Sequence, residues 1–167
     1  MIPILSIIGK SNSGKTTLVE KLIHELRQRG YRVATIKHNR HGFDIDHEGK
    51  DSWRHKQAGA KMTVIASPAK VAVVEDIDRD YTIEELVGRF IHDVDIVLVE
   101  GFKKNTLPKI EVFRKELNRE LISIGDNSLI AVAGNYDIDI DVPCFDRNDA
   151  KDIADFIEEQ VLKGMES

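Results

Sequence analysis

The chain has 167 residues, of which 32% are charged, 41% hydrophobic and 6% aromatic, with a formal net charge of −5 and a pI near 5.7. A chain of this size buries roughly 70% of the surface its unfolded form exposes, so a core can form without metals or disulfides. The acidic balance argues against a nucleic-acid surface, and no apolar run approaches the ~20 residues that span a bilayer.

The single cysteine, Cys144, has no internal partner, and the N-terminus lacks a basic stretch leading into an apolar one with a cleavage site. Both features suit a reducing cytoplasm.

Residues 4–8 form a β-branched apolar run between Pro3 and Gly9, which predicts a buried strand. From Lys15 onward Leu18, Val19, Leu22, Ile23 and Leu26 recur at helical spacing until Gly30 supplies a stop. A second strand is expected at 33–36, then a polar stretch from Lys37 to Lys50 and a short helix over 51–58. The runs 62–66 and 71–74, separated by Ser67-Pro68-Ala69-Lys70, predict a hairpin on the edge of the sheet. A helix over 83–91 follows, with Thr82 as its cap and Glu84 and Glu85 in its first turn, where they suit the helix dipole. Strands at 96–99, 109–113 and 129–133 and a final helix over 149–162 complete the order. Strands alternating with helices imply an α/β, three-layer fold, a mostly parallel sheet with helices on both faces and an added short β-hairpin, and the glycine-rich motif at residues 9–16 makes this a P-loop NTPase fold. With no internal repeat, low-complexity tract or linker, residues 1–167 read as one domain.

Gly9-Lys10-Ser11-Asn12-Ser13-Gly14-Lys15-Thr16 fits G-x-x-x-x-G-K-[ST] in full, directly between the first strand and the first helix. In such a loop the glycines let the backbone wrap phosphate oxygens, which are met by successive N–H groups and the helix N-terminus. Lys15 is expected to reach the β- and γ-phosphates and the Thr16 hydroxyl to ligate Mg²⁺, with Thr17 completing the nucleotide-binding set. The G-x-G-x-x-G spacing of a dinucleotide loop is absent. Lys10 sits where ATPases and GTPases with a deviant Walker A loop carry a lysine that reaches the partner subunit's phosphates; a solvated loop lysine is the alternative.

A P-loop enzyme needs an acidic residue at the end of a second strand to hold Mg²⁺ beside the phosphate it polarises. Glu100, with Gly101 after it, stands at the C-terminal end of the 96–99 strand, where ligands of parallel sheets collect. Asp95, at the other end, reads as structural. His38, His41, His47 and His55 fall within eighteen residues of one another together with Asp44, Asp46, Glu48 and Asp51. Three readings stay open: a Zn²⁺ or Ni²⁺ site, which matches no closed structural spacing; a phosphate or substrate contact through Lys37 and His38, with Asp46 or Asp51 near Mg²⁺; or a solvated polar loop. Lys103 and Lys104 would make the same mouth basic.

The P-loop with Thr17-Leu18, then Thr35-Ile36-Lys37-His38, His41-Gly42-Phe43-Asp44-Ile45-Asp46, Gly49-Lys50-Asp51-Ser52 with Arg54 and Ala58-Gly59-Ala60, and Val99-Glu100-Gly101-Phe102-Lys103 together resemble the molybdopterin-guanine dinucleotide biosynthesis protein B family. The resemblance spans most of the first 115 residues. It implies a homodimeric accessory protein of molybdenum cofactor synthesis that binds GTP with Mg²⁺ and hydrolyses it weakly. Its partners would be molybdopterin and the guanylyltransferase (protein A) that attaches GMP to it. By the same analogy Gly9 to Thr16 hold the phosphates, and Thr16 and Glu100 the Mg²⁺, with Lys15 and Glu100 as the catalytic pair. A guanine-reading Asn-Lys-x-Asp is missing: Asn135-Tyr136-Asp137 follows the 129–133 strand with the wrong spacing, so GTP over ATP rests on the resemblance. No cis arginine finger or water-positioning glutamine stands out in the sequence. The rival expectations are an ATP-dependent ligase like dethiobiotin synthetase, using Lys37 on its substrate, and a metallochaperone GTPase using the histidine segment. Two short apolar strands place the expected dimer interface around residues 62–74.

Overall fold

The computed structural model describes residues 1–39, 42–102, 105–117, 120–134 and 139–163. They fall into two compact units, one formed by Met1–His38 with Val87–Ser167, the other by Asn39–Leu86.

The first unit is built on strands β1 (Ile4–Ile8), β2 (Val33–Lys37), β5 (Ile96–Glu100), β6 (Lys109–Val112), β7 (Leu129–Gly134) and β8 (Cys144–Asp146), all parallel, in the order β2-β5-β1-β6-β7-β8. Helices α1 (Lys15–Gln28) and α4 (Ala150–Ile157) contribute Leu18, Leu22 and Leu26 and Ile153 and Ile157 to a core that also takes Leu5, Ile7, Ile96, Leu98, Ile110 and Val112 from the strands. The period-two alternation of a strand sends Ser6, Lys109 and Glu111 to the other face, where they are also buried. Buried polar groups need partners. The Lys109 ammonium donates to Asn105 O and to Asp126 Oδ2, and the Glu111 carboxylate accepts from the Ile122 and Ser123 amides. These contacts fasten the segments that return from β5 to β6 and from β6 to β7 onto the sheet.

Most element boundaries fall where the sequence places them. The strand β8 had no counterpart in the expected order, and the final helix ends at Ile157, followed by a π-helical turn over Glu158–Leu162. Asp149 caps α4, its Oδ1 accepting from the Asp152 amide. Asp95 is structural, as expected: its carboxylate accepts from the Arg32 guanidinium and backbone amide, which hold its pKa down to about 2.

The second unit contains α2 (Asp51–Gln57) and the antiparallel pair β3 (Met62–Ser67) and β4 (Lys70–Glu75). This corrects one expectation. Among the described residues the hairpin is a separate two-stranded sheet whose strands pair only with each other, so it does not extend the parallel sheet as an edge. Its turn is held by Ser67 Oγ, which accepts from the Lys70 amide, and Lys56 Nζ ties α2 to the strands through Ala60 O and Asp76 Oδ2. Helix α3 (Ile83–Phe90) begins in this unit with the expected Thr82 cap. The Thr82 hydroxyl accepts from the Glu85 amide while the Glu85 carboxylate accepts from the Thr82 amide, a reciprocal capping box. Among the described residues no helix is long and apolar enough to cross a membrane.

Candidate nucleotide-binding site

The phosphate loop is a local consequence of where glycines stand. Gly9 has φ +145°, and a Cβ there would lie 2.5 Å from the Val112 carbonyl oxygen, so only glycine lets the chain leave β1 pressed against β6. Gly14 enters α1 at φ +100°, and no side chain caps that helix. Lys15 Nζ donates to Lys10 O at 2.8 Å, bridging the loop from its end to its start. Ser13 is buried, and its Oγ has no hydrogen-bond partner among the described residues. A buried hydroxyl without a partner is costly unless a ligand supplies one.

Parallel pairing brings the second acidic element to the same place. Lys37 and Glu100 are register partners at the ends of β2 and β5. Glu100 is 7% exposed; the Thr16 hydroxyl lies 3.1 Å from both of its carboxylate oxygens, and the Lys37 ammonium is ion-paired with Oε1. A hydroxyl and a carboxylate converging on a position already served by a cation form the donor set of a hard divalent ion such as Mg²⁺. Gly101 makes this geometry possible: at φ +112°, a Cβ would meet His38 O at 2.9 Å. The His38 amide donates to Glu100 O, and its ring stacks on Phe102 with centroids 4.1 Å apart.

The structure thus brings Lys10, Ser11, Asn12, Ser13, Lys15, Thr16, Lys37 and Glu100 together around one loop, with Thr17 exposed in the first turn of α1. Asp46 and Asp51 lie in the second unit. Asp46 Oδ1 accepts from the His47 amide and its Oδ2 is buried without a partner, whereas Asp51 is exposed beside Arg54. Among the described residues no group of three or more His, Cys, Asp or Glu side chains is arranged to hold a metal. His41 and Lys103 lie outside the described residues.

Two arginines next to the loop went unnoticed in the sequence. Arg114, just beyond β6, has Nη1 3.5 Å from Asn12 O. Arg147, just beyond β8, has Nη1 3.4 Å from where a Cβ on Gly14 would stand. Both follow strand ends, but β8 is three residues long and follows Pro143, too short a run to show a period.

A parallel sheet in which β1 runs through a complete Walker loop into α1, with Thr16 and Glu100 meeting beyond it, defines a P-loop protein. The chain belongs to the Molybdopterin guanine dinucleotide synthesis protein B (MobB) family, whose model matches residues 4–135. It is 45% identical over 158 residues to the Molybdopterin-guanine dinucleotide biosynthesis adapter protein of Haemophilus influenzae, covering 94% of this chain and 88% of that one. The protein of the same name from Escherichia coli is 38% identical over 167 residues, covering 98% and 95%. Among solved structures, a molybdopterin-guanine biosynthesis protein B superposes with a TM-score of 0.74 at 31% identity over 94% of this chain and 99% of that chain. Bacillus subtilis MobB gives the same TM-score at 27% identity over 96% and 98%.

Proposed function

We propose that this chain is a cytoplasmic, Mg²⁺-dependent GTP-binding adapter with weak GTPase activity in the synthesis of molybdopterin guanine dinucleotide. The observation that carries the reading is the convergence of Lys15, Thr16, Glu100 and Lys37 on one glycine-shaped loop. The family and the adapter names of its relatives support the pathway, while the choice of GTP over ATP follows from the family resemblance alone.

Loop amides and Lys15 bind the phosphates, Ser13 Oγ gains an acceptor, and Thr16 and Glu100 hold the cation. Bound Mg²⁺ would supply charge to the β- and γ-phosphates. Lys37 is an internal counter-ion that neutralises the buried Glu100 carboxylate, and with Mg²⁺ held by Thr16 and Glu100 its 60% exposed side chain would be available to the phosphates. The three glutamines of the chain, Gln28, Gln57 and Gln160, lie at the far end of α1, in the second unit and after α4, none of them on the loop. Weak hydrolysis is what the family resemblance implies, and it agrees with the absence of a glutamine from the loop itself. The adapter acts with molybdenum cofactor guanylyltransferase and molybdopterin. It works as a homodimer through the β3–β4 hairpin, on which Met62, Val64, Ile65, Val71 and Val73 are exposed.

The test is reconstituted GMP transfer to molybdopterin by the guanylyltransferase with and without this chain. Stimulation by wild type and none by Lys15→Ala is expected; equal rates with and without the chain would overturn the adapter role.

A further inference from the structure

Arg29, Arg32 and Arg79 each have a carboxylate partner. Arg147 has none: it is a half-buried residue whose guanidinium makes no hydrogen bond or ion pair among the described residues, and its Nε is buried without a partner. The carboxylates beside it in sequence are otherwise engaged, Asp146 Oδ1 accepting from the Asn148 amide and Asp149 Oδ1 capping α4. The guanidinium is nevertheless well placed. The Arg147 amide donates to Gly134 O at the end of β7, and Asn148 Oδ1 accepts from Lys21 Nζ on α1, so the turn is tied to both the sheet and the helix that follows the phosphate loop. A half-buried cation with a buried, unpartnered Nε and no counter-charge among the described residues, beside a phosphate loop, is explained by an anion that arrives with the ligand.

Strand order says which part of the ligand that is. The metal-side groups, Lys37 and Glu100, stand at the ends of β2 and β5, on one side of β1, whereas β8 lies on the other. The cation groups mark the terminal phosphates of a chain laid along the loop. The opposite side receives the phosphate that carries the nucleoside. We propose that Arg147 is a binding residue for the α-phosphate of the nucleotide, indifferent to the base and to the γ-phosphate. The proposal rests on the phosphate-loop reading above and adds to it a residue that the motif does not contain.

The experiment is calorimetric titration of GTP, GDP and ATP into wild type, Arg147→Ala, Arg147→Lys and, as a control on the loop itself, Lys15→Ala, with urea unfolding of each unliganded protein. Arg147→Ala should weaken all three nucleotides by a common factor of about ten, the size of one charge-assisted hydrogen bond. Arg147→Lys should restore part of it, and unliganded stability should be unchanged or slightly raised, since no bond is lost. A loss confined to GTP and ATP would place Arg147 at the γ-phosphate, and a loss confined to the guanine nucleotides would place it on the base; either overturns the proposal, as do unchanged affinities or a fall in unliganded stability that accounts for the loss. Wild type that binds no nucleotide would overturn the loop reading and this proposal together, whereas Lys15-dependent binding with an inert Arg147 would overturn this proposal alone.

Discussion

Replacing Lys37 by methionine should move two affinities in opposite directions. Glu100 is buried but the Lys37 side chain is 60% exposed, so its ammonium keeps most of its water and the solvent-screened pair is worth about 1 kcal/mol. A divalent cation that takes Glu100 must first break that pair, so Lys37→Met should tighten Mn²⁺ binding to the nucleotide-free protein by about fivefold. On the proposed binding mode the Lys37 ammonium would serve the phosphates of the Mg²⁺-bound nucleotide, so losing that charged contact should weaken GTP by at least about tenfold. Electron paramagnetic resonance of free Mn²⁺ reads the first quantity and calorimetry the second, and far-UV circular dichroism checks that the exposed end of β2 still folds. If both affinities fall together, or neither changes, Lys37 is not an exchangeable counter-ion and the reasoning fails.

Gly9→Ala should destabilise the protein by roughly 3 kcal/mol, from a positive φ and a Cβ driven onto the Val112 carbonyl; a change under about 1 kcal/mol in urea unfolding would mean that the loop leaves β1 differently. Asp126 is held to a pKa of about 2, chiefly by its hydrogen bond from Lys109. Because the folded-state value is depressed, the stabilisation is complete above the unfolded carboxylate range near 3.9 and is lost as pH falls towards 2. Asp126→Asn should therefore flatten the acid limb of a stability–pH profile, and an unchanged limb would contradict the Lys109 pairing. At neutral pH the same substitution should cost about 2 kcal/mol, below the full value for a buried pair because Asp126 is 38% exposed. Lysines at both Val64 and Val73, a cross-strand pair on the exposed hairpin, should give a monomer by light scattering; an undisturbed dimer would place the interface elsewhere.

What was legible in the sequence was local. β1 and the start of α1 fall on the residues expected, because a β-branched run, a glycine-bounded loop and a 3.6-residue period are all written within thirty residues. Glu100 was placed for the same reason, as the end of a short apolar strand, but its pairing with Lys37 depends on parallel register across 63 residues, and the sequence suggested only that Lys37 would face a phosphate or substrate. The hairpin was recognised and its position was not, since strand pairing is a long-range choice that periodicity does not encode. Arg147 was missed because its strand is too short to signal, and its significance lies in having no side-chain partner among the described residues, a property only the folded chain displays.

The loop after β1 is the proposed binding site for a guanine nucleotide with Mg²⁺. Calorimetric titration of GTP and ATP into wild type and Lys15→Ala, each with Mg²⁺ and then with chelator, tests it most directly. Wild type should prefer GTP, bind it more tightly with Mg²⁺, and lose roughly hundredfold in affinity on Lys15→Ala. Undiminished GTP affinity in Lys15→Ala, or a preference for ATP that Mg²⁺ does not affect, would contradict the account.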